Sequence, residues 1–297
     1  LQPEIEHILQ RTFGNDVSIS CFGGTPCVHQ KAVIQIYRNL KILGYCKVAR
    51  SQNVGYLFDK ECENLNYLRE KSVDSIPEVL FRCDLDDLKL FCQSSVKDKS
   101  GQTIDRMTEK HWLFLANLYN KTRTVIKFEE TDYYALLKRV KKNAVVLKET
   151  DLEIVQRACE LISKKYNNST VEFGFYHGDF TPWNTVIENG KIKVFDFEYA
   201  KRTYPPYLDA VHYLLQKNFF VDGLNDANQI YSSLKESSIW KKFDDRRSLE
   251  MVIMYLLEII NLYLSRTSEE SLDEKSRQKI RIEILEKAVT EYANLSR

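Results

Sequence analysis

Hydrophobic periodicity shifts from mainly strand-like to mainly helical near residue 95, and no other feature restricts the fold as strongly. Residues 17–21, 31–38 (KAVIQIYR), 43–49 (LGYCKVA), 78–84 and 88–94 are short runs rich in β-branched or aromatic residues, and each is read as a strand. Residues 57–68 interrupt them, because Leu57, Glu61, Leu65 and Leu68 recur at helical spacing. The polar run VKDKSGQT at 96–103 is the expected boundary. Beyond it the period is helical near 108–119, 129–141, 150–166, 207–220, 226–236, 245–264 and 273–293. Asp105 is a candidate start for the first of these helices. Thr150 or Asp151 is a candidate cap for the third, since either side-chain oxygen can accept a free first-turn N–H. Strand signals return between 171 and 199, where 186–187 and 192–195 flank Asn189-Gly190, a two-residue hairpin sequence.

This order predicts an α+β protein with two lobes, a β-rich one over residues 1–95 and a mainly helical one over 96–297. It fits regular βαβ alternation poorly, and two lobes imply a cleft for a small ligand. With 297 residues the chain can build a real core without a disulfide or structural metal. Its 43 basic and 42 acidic residues leave a formal charge of +1, which gives no bulk attraction to nucleic acid or to an anionic membrane. The most apolar run, 251–264, contains Glu258 and Asn261 and falls short of the roughly 20 residues that a membrane span needs, so it is read as a buried helix. The seven cysteines form no CxxC pair and sit mostly in apolar or β-like segments, as small buried residues of a reducing compartment do. No His/Cys set has zinc-site spacing, and no Gly-x-Ser-x-Gly elbow is present.

The densest chemistry lies in His177-Gly178-Asp179-Phe180-Thr181-Pro182-Trp183-Asn184, beside a hydrophobic strand and before the Asn-Gly hairpin. Asp196 follows Asn184 by twelve residues, at the end of the second hairpin strand. A tight loop and a hairpin can bring these groups together. Asp179 can orient a hydroxyl and accept its proton, while Asn184 and Asp196 offer the oxygen ligands that hard divalent cations favour. Taken singly, each has an ordinary reading: a loop aspartate, a turn asparagine bonded to backbone, a strand-end aspartate.

HGDFTPWN followed by FDFE resembles the catalytic loop and metal-binding segment of the aminoglycoside phosphotransferase and choline kinase family, small-molecule kinases with a protein-kinase-like fold. The resemblance implies that fold, bilobal with a β-rich N-lobe and a mainly helical C-lobe, and ATP held between the lobes. It implies that Asp179 is the catalytic aspartate and that Asn184 and Asp196 hold Mg2+, with Glu198 supporting the metal site. His177 and Gly178 shape the loop, and Asp209 in YLDAVHY tethers it. In the N-terminal half, Lys47 in GYCKVA matches the family's nucleotide-holding lysine and Glu61 its partner, with Glu63 as the alternative; Lys31 lies earlier than that lysine should. The segment 21–29 would cover the phosphates with Gly23 and Gly24, although it lacks GxGxxG.

The implied activity is transfer of the ATP γ-phosphate to a hydroxyl of a small molecule: a sugar, amino sugar, amino alcohol or glycan precursor. A non-catalytic nucleotide-binding or interaction protein on the same fold is the alternative. HRD, DFG and APE signals of polypeptide kinases are absent. ATP chemistry and free cysteines make the cytoplasm the expected location. His111 and His212 fall within helices and are read as satisfied helix histidines, and most aromatic residues as packing groups, with Trp183 set apart by standing next to Asn184.

Overall fold

In a computed structural model, residues 3–23, 31–96, 101–265 and 272–295 are described. They fall into two compact units, Leu1–Ile104 with Pro182–Ala200, and Asp105–Thr181 with Lys201–Arg297. The fold is the bilobal α+β, protein-kinase-like arrangement, with the sheet-rich unit first and the helix-rich unit second.

The first unit opens with α1 (Pro3–Phe13), followed by β1 (Ser18–Gly23), β2 (Ala32–Arg38), β3 (Lys41–Ala49), α2 (Gln52–Glu70), β4 (Val79–Leu85) and β5 (Leu88–Ser94). The strands form one antiparallel sheet in the order β1-β2-β3-β5-β4. Side chains alternate across a sheet with a period of two, and here both faces are covered. Ile34, Ile36, Cys46, Leu88, Leu90 and Cys92 share a buried core with Ile5 and Leu9 of α1. Phe91 faces the other way, where its ring lies 6.1 Å from that of Phe58 on α2. Lys47 pairs in register with Phe91 and therefore emerges on the α2 face. The helix α1 was not expected from the sequence. It buries only Ile5 and Leu9, too few apolar positions to stand out against its polar neighbours.

The hairpin β8 (Thr185–Glu188) and β9 (Lys191–Val194) belongs to this unit. Asn189 and Gly190 take φ values of 48° and 76°, the left-handed pair of a type I′ turn that the Asn-Gly sequence predicts. Backbone bonds tie it in place, from Val194 N–H to Ser75 C=O at 2.9 Å and in a two-way bridge between Gln102 and Ile187.

The second unit contains α3 (Glu109–Thr122), β6 (Thr124–Lys127), α4 (Asp132–Asn143), α5 (Glu149–Tyr166), β7 (Thr170–Tyr176), β10 (Lys201–Tyr204), α6 (Leu208–Phe220), α7 (Ala227–Lys235), α8 (Ser238–Lys242), α9 (Asp245–Leu264) and α10 (Leu272–Asn294). The strands form a small antiparallel sheet ordered β10-β7-β6. Helix α9 is the core of this unit, buried along almost its whole length and packed by α4, α6 and α10. Among the described residues no helix is long and apolar enough to cross a membrane. Of the described cysteines, Cys46, Cys92 and Cys159 are buried free thiols, Cys62 and Cys83 are half-buried and Cys21 is exposed; Cys27 lies outside the described residues.

Two expected helix starts are corrected. Asp105 does not open α3; Thr108 does, its N–H donating to His111 Nδ1 at 3.2 Å. Neither Thr150 nor Asp151 caps α5, which begins at Glu149 after Lys148, so both lie in its first turn. There Asp151 still complements the positive end of the helix dipole.

His111 supplies a test of this core. Burial lowers its imidazole from 6.5 to about 4. The folded chain then binds fewer protons than the unfolded chain between those values, so stability is complete above pH 6.5 and declines as pH falls toward 4. The decline attributable to this group is about 3 kcal/mol. Denaturant titrations of wild type and His111→Phe across this range are expected to diverge by that amount in their pH dependence. Parallel profiles would show that His111 is not held neutral.

Candidate active site

In the first unit, β3 carries Lys47 onto the face that α2 covers, and α2 presents Glu61 to meet it. Lys47 Nζ lies 2.5 Å from Glu61 Oε2 and 2.7 Å from Asp196 Oδ1. Glu61 is 0% exposed and Lys47 is 6% exposed. Glu63, the alternative partner, instead pairs with Lys60 at the surface at 2.7 Å. Asp196 reaches the pair because the hairpin ends beside α2: Asn64 Nδ2, one turn after Glu61, donates to Phe197 C=O at 3.0 Å. Phe195 N–H donates to Asn184 C=O at 3.2 Å, which sets Asn184 beside the same strand end. Asp196 itself has φ of 72°, a left-handed conformation that is costly for a residue with a side chain and that gathers at functional sites.

Lys31, earlier in the chain than the lysine the resemblance implies, joins this group. Its Nζ lies 2.6 Å from Glu198 Oε2 and 3.8 Å from Asp196 Oδ1. The signal available in the sequence was only its place just before a strand of half-buried residues. The contact with Glu198 spans 167 positions and has no local signature.

Burial opposes the charge on Lys47, but the carboxylates of Asp196, Glu61 and Glu198 outweigh it and hold the ammonium well above its ordinary range. Burial pushes the Glu61 carboxyl up, and Asp196 and Glu198 push the same way, against the pull of Lys47. Oxygens of Glu61, Asp196 and Glu198 lie within 4.8 Å of one another, a set that could hold a cation. Glu61 Oε1 is buried with no hydrogen-bond partner among the described residues. An all-oxygen donor set with an unused carboxylate oxygen suits a hard divalent cation such as magnesium. A cavity of about 210 Å3 adjoins the group, with Lys31, Lys47 and Asp196 as its charged wall and Val33, Tyr45 and Val96 among its other lining residues. Gly23 ends β1, exposed and paired with Ala32, and Gly24 lies outside the described residues.

In the second unit, β7 leads into His177, Gly178 and Asp179. The loop is held from α6: Asp209 accepts from the backbone N–H of His177 at 2.9 Å and of Gly178 at 3.1 Å. Burial pushes the Asp209 carboxyl up to about 7 against the pull of these two donors. His177 is buried and its Nδ1 accepts from Asp179 N–H at 3.1 Å. Phe180 anchors the loop among His111, Phe114 and Tyr213. The Asp179 carboxylate lies 3.2 Å from His212 Nε2, a neighbour that the sequence reading did not assign to it. Trp183 is 42% exposed.

No protein-family model matches this sequence, and no curated protein matches it. Solved structures do. The chain is similar to the aminoglycoside phosphotransferase APH(4)-Ia in its apo form as a thermostable mutant, at a TM-score of 0.61 and 15% identity over 95% of this chain and 98% of that one. It is similar to ADP-bound aminoglycoside phosphotransferase APH(2'')-Ib at a TM-score of 0.55 and 14% identity, over 98% and 99% of the two chains. A third likeness is to APH(2'')-IIa in its ternary complex with streptomycin and ATP, at a TM-score of 0.55 and 14% identity, over 94% and 96%. The fold of this chain is that of the aminoglycoside phosphotransferases, in agreement with the resemblance read from HGDFTPWN and FDFE.

Proposed function

We propose that this protein transfers the γ-phosphate of ATP to a hydroxyl group of a small molecule, with residues 1–95 as the nucleotide-binding lobe and 96–297 as the catalytic and acceptor-binding lobe. The observation that carries this reading is the Lys47–Glu61–Asp196 ion group, buried at Lys47 and Glu61, together with a loop bearing a tethered aspartate shortly before Asp196 in the chain. In this reading Lys47, held by Glu61, binds the α/β-phosphates, and the cavity beside it takes the base against Val33 and Tyr45. Asn184 and Asp196 hold magnesium, with Glu198 beside them. The cation, when bound, neutralises charge on the transferring phosphate. Asp179 orients the acceptor hydroxyl and takes its proton as the oxygen attacks phosphorus. Phosphoryl transfer draws most of its acceleration from such positioning and electrostatics.

Of the structures similar to this chain, one is described as ADP-bound and another as a ternary complex with streptomycin and ATP, which supports a hydroxylated small molecule as acceptor. The test is magnesium-dependent ADP formation against a panel of sugars, amino sugars, amino alcohols and glycan precursors. Stimulation by one acceptor class is the expected result. Tight ATP binding with no transfer to any acceptor would support the non-catalytic reading instead.

A further inference from the structure

His212 reads from the sequence as a satisfied helix histidine, and it is one: it is buried in α6 with a partner at each ring nitrogen. Helix α6 places Asp209 and His212 three residues apart, on one face. Asp209 takes the backbone of the loop, and His212 Nε2 meets the side chain of Asp179 at 3.2 Å. On the other edge of the ring, Nδ1 lies 3.0 Å from the Tyr255 hydroxyl of α9. His212 and Tyr255 are both buried.

With Asp179 ionised and the ring neutral, each bond has one direction. An ionised carboxylate only accepts, so Nε2 carries the proton toward Asp179. In a neutral imidazole Nδ1 then accepts, and Tyr255 must donate to it. Burial holds the Tyr255 phenol far above its ordinary range, so it keeps the proton that this bond requires. The result is a chain from Tyr255 through His212 to Asp179, set among the apolar side chains of α6 and α9. Packing alone needs no such chain, since apolar residues would fill the space without two buried polar groups to satisfy.

We propose that His212 is a positioning residue for Asp179, locked in one tautomer and one ring orientation by Tyr255. One face of α6 thus clamps both the backbone of the loop and the carboxylate that it carries. This rests on the reading of Asp179 as the group that meets the acceptor hydroxyl.

Four variants and one spectrum test it. His212→Leu removes the donor, and misplacing a reacting group by about an ångström lowers kcat on the order of 10²-fold. KM for ATP should change by less than about threefold, because ground-state nucleotide binding is untouched. In His212→Gln the amide nitrogen can reach the place of Nε2, and kcat should recover at least about tenfold over His212→Leu. Tyr255→Phe, which leaves the ring in place but unlocked, should fall between wild type and His212→Leu. Wild-type turnover in His212→Leu, or equal impairment of the Leu and Gln variants, would overturn the proposal. Nitrogen-15 NMR of the wild-type imidazole needs no acceptor. The expected signature is a neutral ring protonated at Nε2, perturbed by both Asp179→Ala and Tyr255→Phe. A ring protonated at Nδ1, or one insensitive to both changes, would overturn the clamp. Absence of phosphate transfer by wild type would instead remove the functional reading and leave the spectrum to decide the clamp.

Discussion

Asp179→Asn is expected to lower kcat for phosphate transfer on the order of 10²- to 10⁴-fold, with KM for ATP little changed. The substitution is nearly isosteric. Its amide oxygen can still accept from His212 Nε2, 3.2 Å away from the present carboxylate, and the backbone bonds from His177 and Gly178 to Asp209 are untouched. What disappears is the negative charge and the capacity to take a proton from the acceptor hydroxyl. A loss confined to kcat therefore locates the residue at the transfer step. A loss confined to KM for the acceptor would make Asp179 a binding group, and unchanged kinetics would remove it from the reaction. Thermal denaturation of the variant should match wild type, since Asp179 is part-exposed while the residues that hold its loop are buried.

Lys47→Met should affect folding as well as activity. It removes one partner of a buried pair in which Glu61 is fully enclosed and pushed up by burial. Breaking a buried ion pair from one side costs about 3–5 kcal/mol, because the remaining charge has lost its partner. Glu61 can escape part of that cost by taking up a proton, so the lower end is expected near neutral pH. The double variant Lys47→Met with Glu61→Leu separates the two effects. Replacing both members by apolar groups of similar volume is often neutral or stabilising, so stability should return close to wild type. Activity should not return, because the cation that faces the cavity is still missing. Chemical denaturation with a parallel ADP-formation assay distinguishes the outcomes. Restored activity in the double variant would show that Lys47 acts on the fold alone.

The sheet of the first unit is legible in the sequence because β1, β2 and β3 carry β-branched residues and its turns are marked. The hairpin at Asn189-Gly190 is legible for the same reason, since both residues take the left-handed angles that the turn needs. Short or thinly buried elements are not. β6 and β10 have four residues each, and α1 buries two of eleven. α5 begins after Lys148, which carries no capping oxygen, so the nearest capping residues drew the start inward.

At the candidate site, residues carried by motifs were legible and those carried by contact were not. Asp179, Asn184 and Asp196 sit in one short stretch. Lys47 and Glu61 lie on a strand and a helix fourteen positions apart, and the sheet register brings them together. Lys31 meets Glu198 across 167 positions, and His212 meets Asp179 only because α6 turns one face toward the loop. A histidine in an apolar helix has the same local pattern whether it packs or positions a neighbour.

The most direct measurement is transfer of label from γ-labelled ATP, with magnesium, to the acceptor that best stimulates ADP formation, comparing wild type with Asp179→Asn. The expected result is a labelled phosphoester of the acceptor, formed by wild type and lost on the order of 10²-fold or more in the variant. Label found only as free phosphate, or transferred equally by both proteins, would contradict a small-molecule kinase built around Asp179.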